Sequence, residues 1–174
     1  MKTYKELKEY LLKETTLNRV LQHANDETYP IAIVTASQYK DKNDKVISKK
    51  QNIDNNNKLA TELNRARIQK KIQSYFMVDG TWVYKDGTKV KDDSYFVIGN
   101  KEDKGELLNI VSELGKKYNQ ESILYRPAKT NVAVLVDMGD NSVIRLGPIQ
   151  ANRVSDIYSR LRGRSGTFVF GDDE

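Results

Sequence analysis

The chain has 174 residues, 38% of them hydrophobic, with 29 Lys and Arg against 24 Asp and Glu, a formal net charge of +5 at pH 7 and a pI near 9.2. It has no cysteine and one histidine, His23, which excludes thiol chemistry, cysteine-held zinc or iron–sulfur centres, and any Cys–His or multi-histidine site. The length suits one domain with its own core, and no apolar run approaches the ~20 residues of a membrane span.

The start, Met1-Lys2-Thr3-Tyr4-Lys5-Glu6, lacks the apolar segment of a secretory signal. With no cysteine to suggest an oxidising compartment, the expected setting is a host cytoplasm. From Tyr4 to Ala24, apolar Leu7, Leu11, Leu17, Val20 and Leu21 recur at helical spacing, so a first helix is predicted there. After Pro30, the run Ile31-Ala32-Ile33-Val34-Thr35-Ala36 is apolar on both sides, as a central strand buried on two faces would be. Residues 37–57 read SQYKDKNDKVISKKQNIDNNN. Burial available to so polar a segment does not offset its ordering entropy, which predicts a long exposed loop, either a tolerated insertion or a lid or partner-binding loop.

Helical spacing returns over Lys58–Gln73, with Leu59, Leu63 and Ala66 on one side and Asp54 or Asn55 available as caps. Three meandering strands follow: Tyr75–Val78, Thr81–Tyr84 and Ser94–Ile98, with turns at Asp79-Gly80 and Asp86-Gly87. A helix then runs from Asn100, as its N-cap, to Tyr118, with the stripe Leu107, Leu108, Val111 and Leu114. Ser122–Tyr125, Asn131–Met138 and Ser142–Leu146 read as strands, the last two joined by Gly139-Asp140-Asn141. Gly147-Pro148 opens a predicted final helix carrying Val154, Ile157, Tyr158 and Leu161, and Thr167–Phe170 reads as a closing strand. The sum is a single α+β domain over residues 1–174, a mainly antiparallel or mixed sheet with about four helices packed on it. A basic C-terminal segment covers residues 160–174.

No constellation of catalytic residues stands out. His23 sits in a polar stretch with no identifiable partner. Asp79, Asp92, Asp93, Asp137 and Asp140 fall near predicted strand ends, where aspartates ordinarily form turns. A metal-dependent nuclease would want an acid–x–Lys pair on a strand, and no predicted strand carries one. No cofactor and no metal are expected. The positive evidence is two basic groups. One is Lys45, Lys49, Lys50, Arg65, Arg67, Lys70 and Lys71; the other is Arg153, Arg160, Arg162 and Arg164. If the two shared a face, they would suit phosphate contacts or a partner's acidic surface. The ten tyrosines and one tryptophan suit stacking surfaces or protein interfaces.

Several segments resemble a small uncharacterised domain family of bacteria and tailed phages: Val34-Thr35-Ala36, the Asn-rich lead into Leu59–Leu63, Ser94 with Val97-Ile98-Gly99, and Tyr118 to Ile123. The resemblance spans about residues 29–126. In this chain the acidic pair Asp92-Asp93 precedes Ser94, where the resemblance leads one to expect glutamate nearby. It implies a phage-like origin and no particular chemistry. The expectation is therefore a non-enzymatic phage structural or virion-assembly protein acting through contacts with other protein subunits, with no membrane partner. The alternatives are a phage-encoded nucleic-acid-binding or host-defence-countering protein and, third, a metal-dependent nuclease using strand-end aspartates.

Overall fold

In the computed structural model, which describes residues 26–83, 88–151, 158–161 and 168–170, the β-branched run after Pro30 forms strand β1 (Ile31–Val34), buried along its whole length. It is flanked on one edge by β3 (Lys89–Ile98) and on the other by β4 (Ser122–Arg126), both antiparallel to it. Outward from β3 lies β2 (Ser74–Val83), and outward from β4 lie β5 (Ala133–Asp137) and β6 (Val143–Gly147). These six strands form the body of the sheet. Beyond β2 the order continues through β8 (Tyr158–Leu161), β9 (Phe168–Phe170) and β7 (Ile149–Ala151), and every described pair is antiparallel.

Two helices, α1 (Lys49–Ile68) and α2 (Glu106–Lys117), are seen among the described residues. They share one face of the sheet. Leu59, Leu63 and Ala66 of α1 and Leu107, Val111 and Leu114 of α2 cluster with Ala32, Val34, Tyr95, Val97 and Ile123. The alternate residues Ile31, Ile33, Val78, Phe96, Ile98 and Leu124 form a second buried cluster on the opposite face, as strand alternation requires. Gly115 lets α2 settle on the sheet: a Cβ there would lie 2.9 Å from Ile123 Cγ2 and from Met138 Sδ. No described helix is long and apolar enough to cross a membrane.

The α+β class is as the sequence predicts, but its details differ. The predicted helix over Tyr4–Ala24 lies outside the described residues. The predicted helix after Gly147-Pro148 is replaced by strands β7 and β8, so two of the four predicted helices are seen among the described residues. Its apolar spacing of Val154, Ile157 and Leu161 fits a helix, yet the short Tyr158–Leu161 segment pairs with β2 instead; tertiary pairing outweighs local periodicity. Asp79-Gly80 is no turn: β2 runs straight through it, with Asp79 opposite Asp93 and Gly80 opposite Asp92. The Asp86-Gly87 pair falls between β2 and β3, outside the described residues.

A further difference is the polar stretch over 37–57. Its first part is a tight reversal in which Lys40 bridges Val46 and the Asp41 carboxylate accepts the Asn43 and Lys45 amides at 2.8 and 3.0 Å. Its second part is already helix, because α1 begins at Lys49 with Ser48 as N-cap, the Ser48 hydroxyl accepting the Gln51 amide. This half-helix buries asparagine rather than leucine. Asn56 is 3% exposed; its Oδ1 accepts the Ala36 amide at 2.9 Å and its Nδ2 donates to Ser37 Oγ at 2.7 Å. On α2 the predicted cap Asn100 gives way to Gly105, while Asp103 accepts the Gly105 and Leu107 amides.

Replacing Asn56 by alanine strands a buried amide and a buried hydroxyl, a loss of ~1–3 kcal/mol. The neighbouring exposed Asn57→Ala lies within ~0.5 kcal/mol of wild type. Urea unfolding of the two variants separates these outcomes, and equal midpoints would refute the assignment.

Candidate active site

Strand β1 leaves its ladder at Val34, the last residue opposite Tyr95 of β3, but the chain stays buried through Ser37. Its backbone groups are met by side chains from three directions. Asn56 of α1 takes the Ala36 amide. Asn52, one turn earlier, accepts from Gln38 N and donates to Gln38 O, both at 2.9 Å. Gln120, between α2 and β4, donates to Ser37 O at 2.9 Å. The Thr35 hydroxyl donates to Asp93 O at 2.6 Å and accepts the Ser37 amide at 3.1 Å. The Tyr95 hydroxyl donates to Asn56 O.

Beside this node, on the face that carries the helices, stand two half-buried carboxylates. Tyr95 and Val97 point into the helix-side cluster, so Asp93, two residues before Tyr95, lies on that same face. Asp79 is directly across from it on β2, and Arg160 of β8 is directly across from Asp79. Three charged residues thus occupy one row across three strands. On the other side of the Thr35–Gln38 segment is a cleft of about 560 Å³ lined by residues 37–44 and 119–121. A second, of about 570 Å³, opens between α1 and α2, and Gln38 and Asn119 line both.

The α1–α2 cleft is braced by an ionic clamp. Glu62 Oε1 accepts from Tyr118 Oη at 2.6 Å and from Lys117 Nζ at 2.8 Å. Burial pushes the Glu62 carboxyl upward, but the hydrogen bonds from Lys117 and Tyr118, with the charges of Lys117 and Arg65, outweigh it and hold the pKa below the ordinary 4.5. The Tyr118 hydroxyl is raised, first by burial and then by its bond to Glu62.

Among the described residues, the basic residues singled out from sequence fall at several places on the fold. Lys45 is on the reversal before α1, Lys49 and Lys50 are in its first turn, and all three are exposed. Arg65 lines the α1–α2 cleft, while Arg67 donates to Asn64 Oδ1 on the helix surface. Lys70 and Lys71 are exposed just past the helix end. Arg160 sits in the carboxylate row; Arg153, Arg162 and Arg164 lie outside the described residues. Among the described residues no group of three or more His, Cys, Asp or Glu converges as a metal site. Sequence reasoning missed Asn52, Asn56 and Gln120. The available signal was two asparagines one helical turn apart in a run that follows a buried strand.

What the node does join is the set of segments that carried the family resemblance: Thr35-Ala36, the Asn-rich lead, the strand after Asp93, and Gln120. The model of the S-adenosylmethionine lyase family matches residues 34–165. The chain belongs to that family. Similar solved structures include a phage SAM lyase in complex with S-methyl-5'-thioadenosine, 14% identical with a TM-score of 0.37, covering 68% of this chain and 87% of that one. A phage SAM lyase in the apo state is 14% identical with a TM-score of 0.35, covering 79% and 90%. No curated protein matches. The resemblance to phage proteins is thus a resemblance to an enzyme family with a stated activity. That finding overturns the expected structural or virion-assembly role.

The direction of the Glu62 shift fixes a pH dependence. A carboxyl whose folded pKa is depressed contributes stability above its unfolded pKa and loses it as pH falls through the folded value. Wild type is therefore more stable than Glu62→Gln at pH 7, and the gap closes on acidification below the ordinary carboxylate range. Denaturant unfolding of both proteins at pH 7 and pH 3 checks this; a constant gap would refute it.

Proposed function

We propose that this chain cleaves S-adenosylmethionine at the carboxyl end of β1, with Asp93 and Asp79 facing the substrate's ammonium, the positive charge that outlasts the reaction. The observation that carries the reading is the family match, which begins at Val34, the residue where β1 ends.

The reaction proposed releases S-methyl-5'-thioadenosine, the molecule held by the phage SAM lyase above, and leaves the four-carbon amino acid as its lactone. A lyase adds no water, so a displacement at Cγ draws its nucleophile from the substrate itself. The substrate's own carboxylate oxygen attacks Cγ, the S–Cγ bond breaks, and its electron pair returns to sulfur. Sulfonium becomes neutral thioether, carboxylate becomes ring ester, and no proton moves. Elimination would instead need a base to take a proton from carbon. Ring closure suits a sequence with one histidine and no cysteine.

Electrostatics support the placement. At neutral pH the substrate carries a sulfonium, an ammonium and a carboxylate, one net positive charge. A protein of net charge +5 repels such a ligand at long range, but screening confines that field to ~8–10 Å in physiological salt. A local pair of carboxylates then decides where the cation binds. What the protein supplies is orientation and exclusion of water, the terms that dominate an internal displacement.

Incubation of the purified protein with S-adenosylmethionine yields S-methyl-5'-thioadenosine and the lactone, read by chromatography and mass spectrometry. Proton NMR of the four-carbon product shows the ring O–CH2 signals of the lactone; vinyl protons in their place would establish elimination instead of ring closure. Asp93→Asn lowers kcat/KM by ~100-fold or more, whereas Glu62→Gln, whose carboxylate is committed to Tyr118 and Lys117, changes it by ~3-fold or less. Full turnover in Asp93→Asn would remove the site assignment, and no turnover in wild type would remove the function.

A further inference from the structure

We propose that Asn52 and Asn56 are positioning residues for the reaction, acting through Thr35–Gln38 on Asp93. The proposal rests on the lyase reading above and deepens it.

The two asparagines replace a missing strand. Past Val34 neither flanking ladder continues: the register with β3 ends at Val34 opposite Tyr95, and that with β4 at Ile33 opposite Leu124. Residues 35–37 are nonetheless buried. Asn52 gives Gln38 what a neighbouring peptide would, an acceptor for its N–H and a donor for its C=O. Asn56, two residues earlier along the segment, accepts from Ala36 N and donates to the Ser37 side chain at Oγ.

The spacing is metric. Four residues of helix advance ~6 Å, and two residues of extended chain advance ~6.6 Å. Side chains one turn apart on α1 therefore fall in register with residues two apart on an extended segment. Amides at these two positions rivet the segment straight, whereas leucines there would leave its backbone groups unsatisfied. Thr35 passes the restraint on: its hydroxyl is 2.6 Å from Asp93 O and 3.1 Å from Ser37 N. Movement of Ala36–Gln38 thus moves the backbone that carries the Asp93 carboxylate.

A purely structural role would lower stability and leave the turnover of each folded molecule alone. The test therefore measures kcat and KM on S-adenosylmethionine together with the folded fraction. Asn52→Ala lowers kcat by ~10- to 100-fold with KM within ~3-fold, because the site is misplaced and not lost. Asn52→Asp keeps the acceptor for Gln38 N and regains part of kcat. Leu63→Val, a packing change on the same helix, leaves kcat per folded molecule at the wild-type value. Should Asn52→Ala not fold, Asn52→Asp carries the test, with kcat between wild type and one tenth of it. Wild-type turnover with unchanged kcat in both Asn52 variants overturns this proposal alone. A parallel fall in Leu63→Val at matched folded fraction overturns it too. Absence of turnover in wild type overturns the lyase reading and this proposal together.

Discussion

A buried strand that runs past the end of its partners poses a problem that the whole helical layer is arranged to solve. Thr35, Ala36 and Ser37 are at most 6% exposed, so their N–H and C=O groups must find partners inside the protein. The solution is a helix whose first half turns amides inward and whose second half turns leucines inward. That division fixes α1 along its axis. Sliding it by one turn in one direction would set Asn56 against the apolar Val34 and Tyr95 cluster, and in the other would set Leu59 against open backbone amides, so either move is penalised. The polar half thus specifies the register that the apolar half stabilises.

The remaining contacts lock the second helix to that reference. Glu62 lies on α1 between buried Leu59 and Leu63, and it accepts from both Tyr118 and Lys117 at the end of α2. Gln120, two residues on, returns to Ser37. Both helices and the end of β1 therefore close into one loop of interactions. At the other end of the same strand, Arg126, 1% exposed, donates from Nη2 to Tyr29 O at 2.7 Å and Asp26 O at 3.1 Å. A guanidinium ties down the approach to β1, as amides tie down its exit. Burial lowers the Arg126 pKa, against the upward pull of Glu27 and Asp26.

The parts of this fold that sequence discloses are those where one interaction dominates. β1, α2, β4, β5 and β6 are legible because apolar residues fall at a single period and turns such as Gly139-Asp140-Asn141 bracket them. The Asn-rich half of α1 is not legible, because its inward face is hydrogen-bonded and a hydrophobicity pattern has nothing to register there. Asp79-Gly80 misleads for the opposite reason. Its turn chemistry is sound locally, but long-range pairing with β3 and β8 carries β2 straight through it. Of the site, sequence shows the segments and not their meeting point. Thr35, Asn56, Asp93 and Gln120 span three intervals of some twenty to forty residues, and only the sheet order brings them together.

The inference that failed most instructively ran from missing catalytic groups to a missing reaction. It holds for hydrolysis or proton abstraction, where a general base or an activated nucleophile must come from the protein. It does not hold when nucleophile and leaving group are parts of one substrate. Internal displacement of a neutral thioether from a sulfonium destroys a positive and a negative charge together, so water, which stabilises the separated charges, opposes it. A protein accelerates such a step by holding carboxylate, carbon and sulfur in line and keeping solvent away. Those are tasks for a rigid backbone and a placed anion. A segment clamped from three sides by asparagine, threonine and glutamine meets that requirement, and it leaves no histidine or cysteine signature in the sequence.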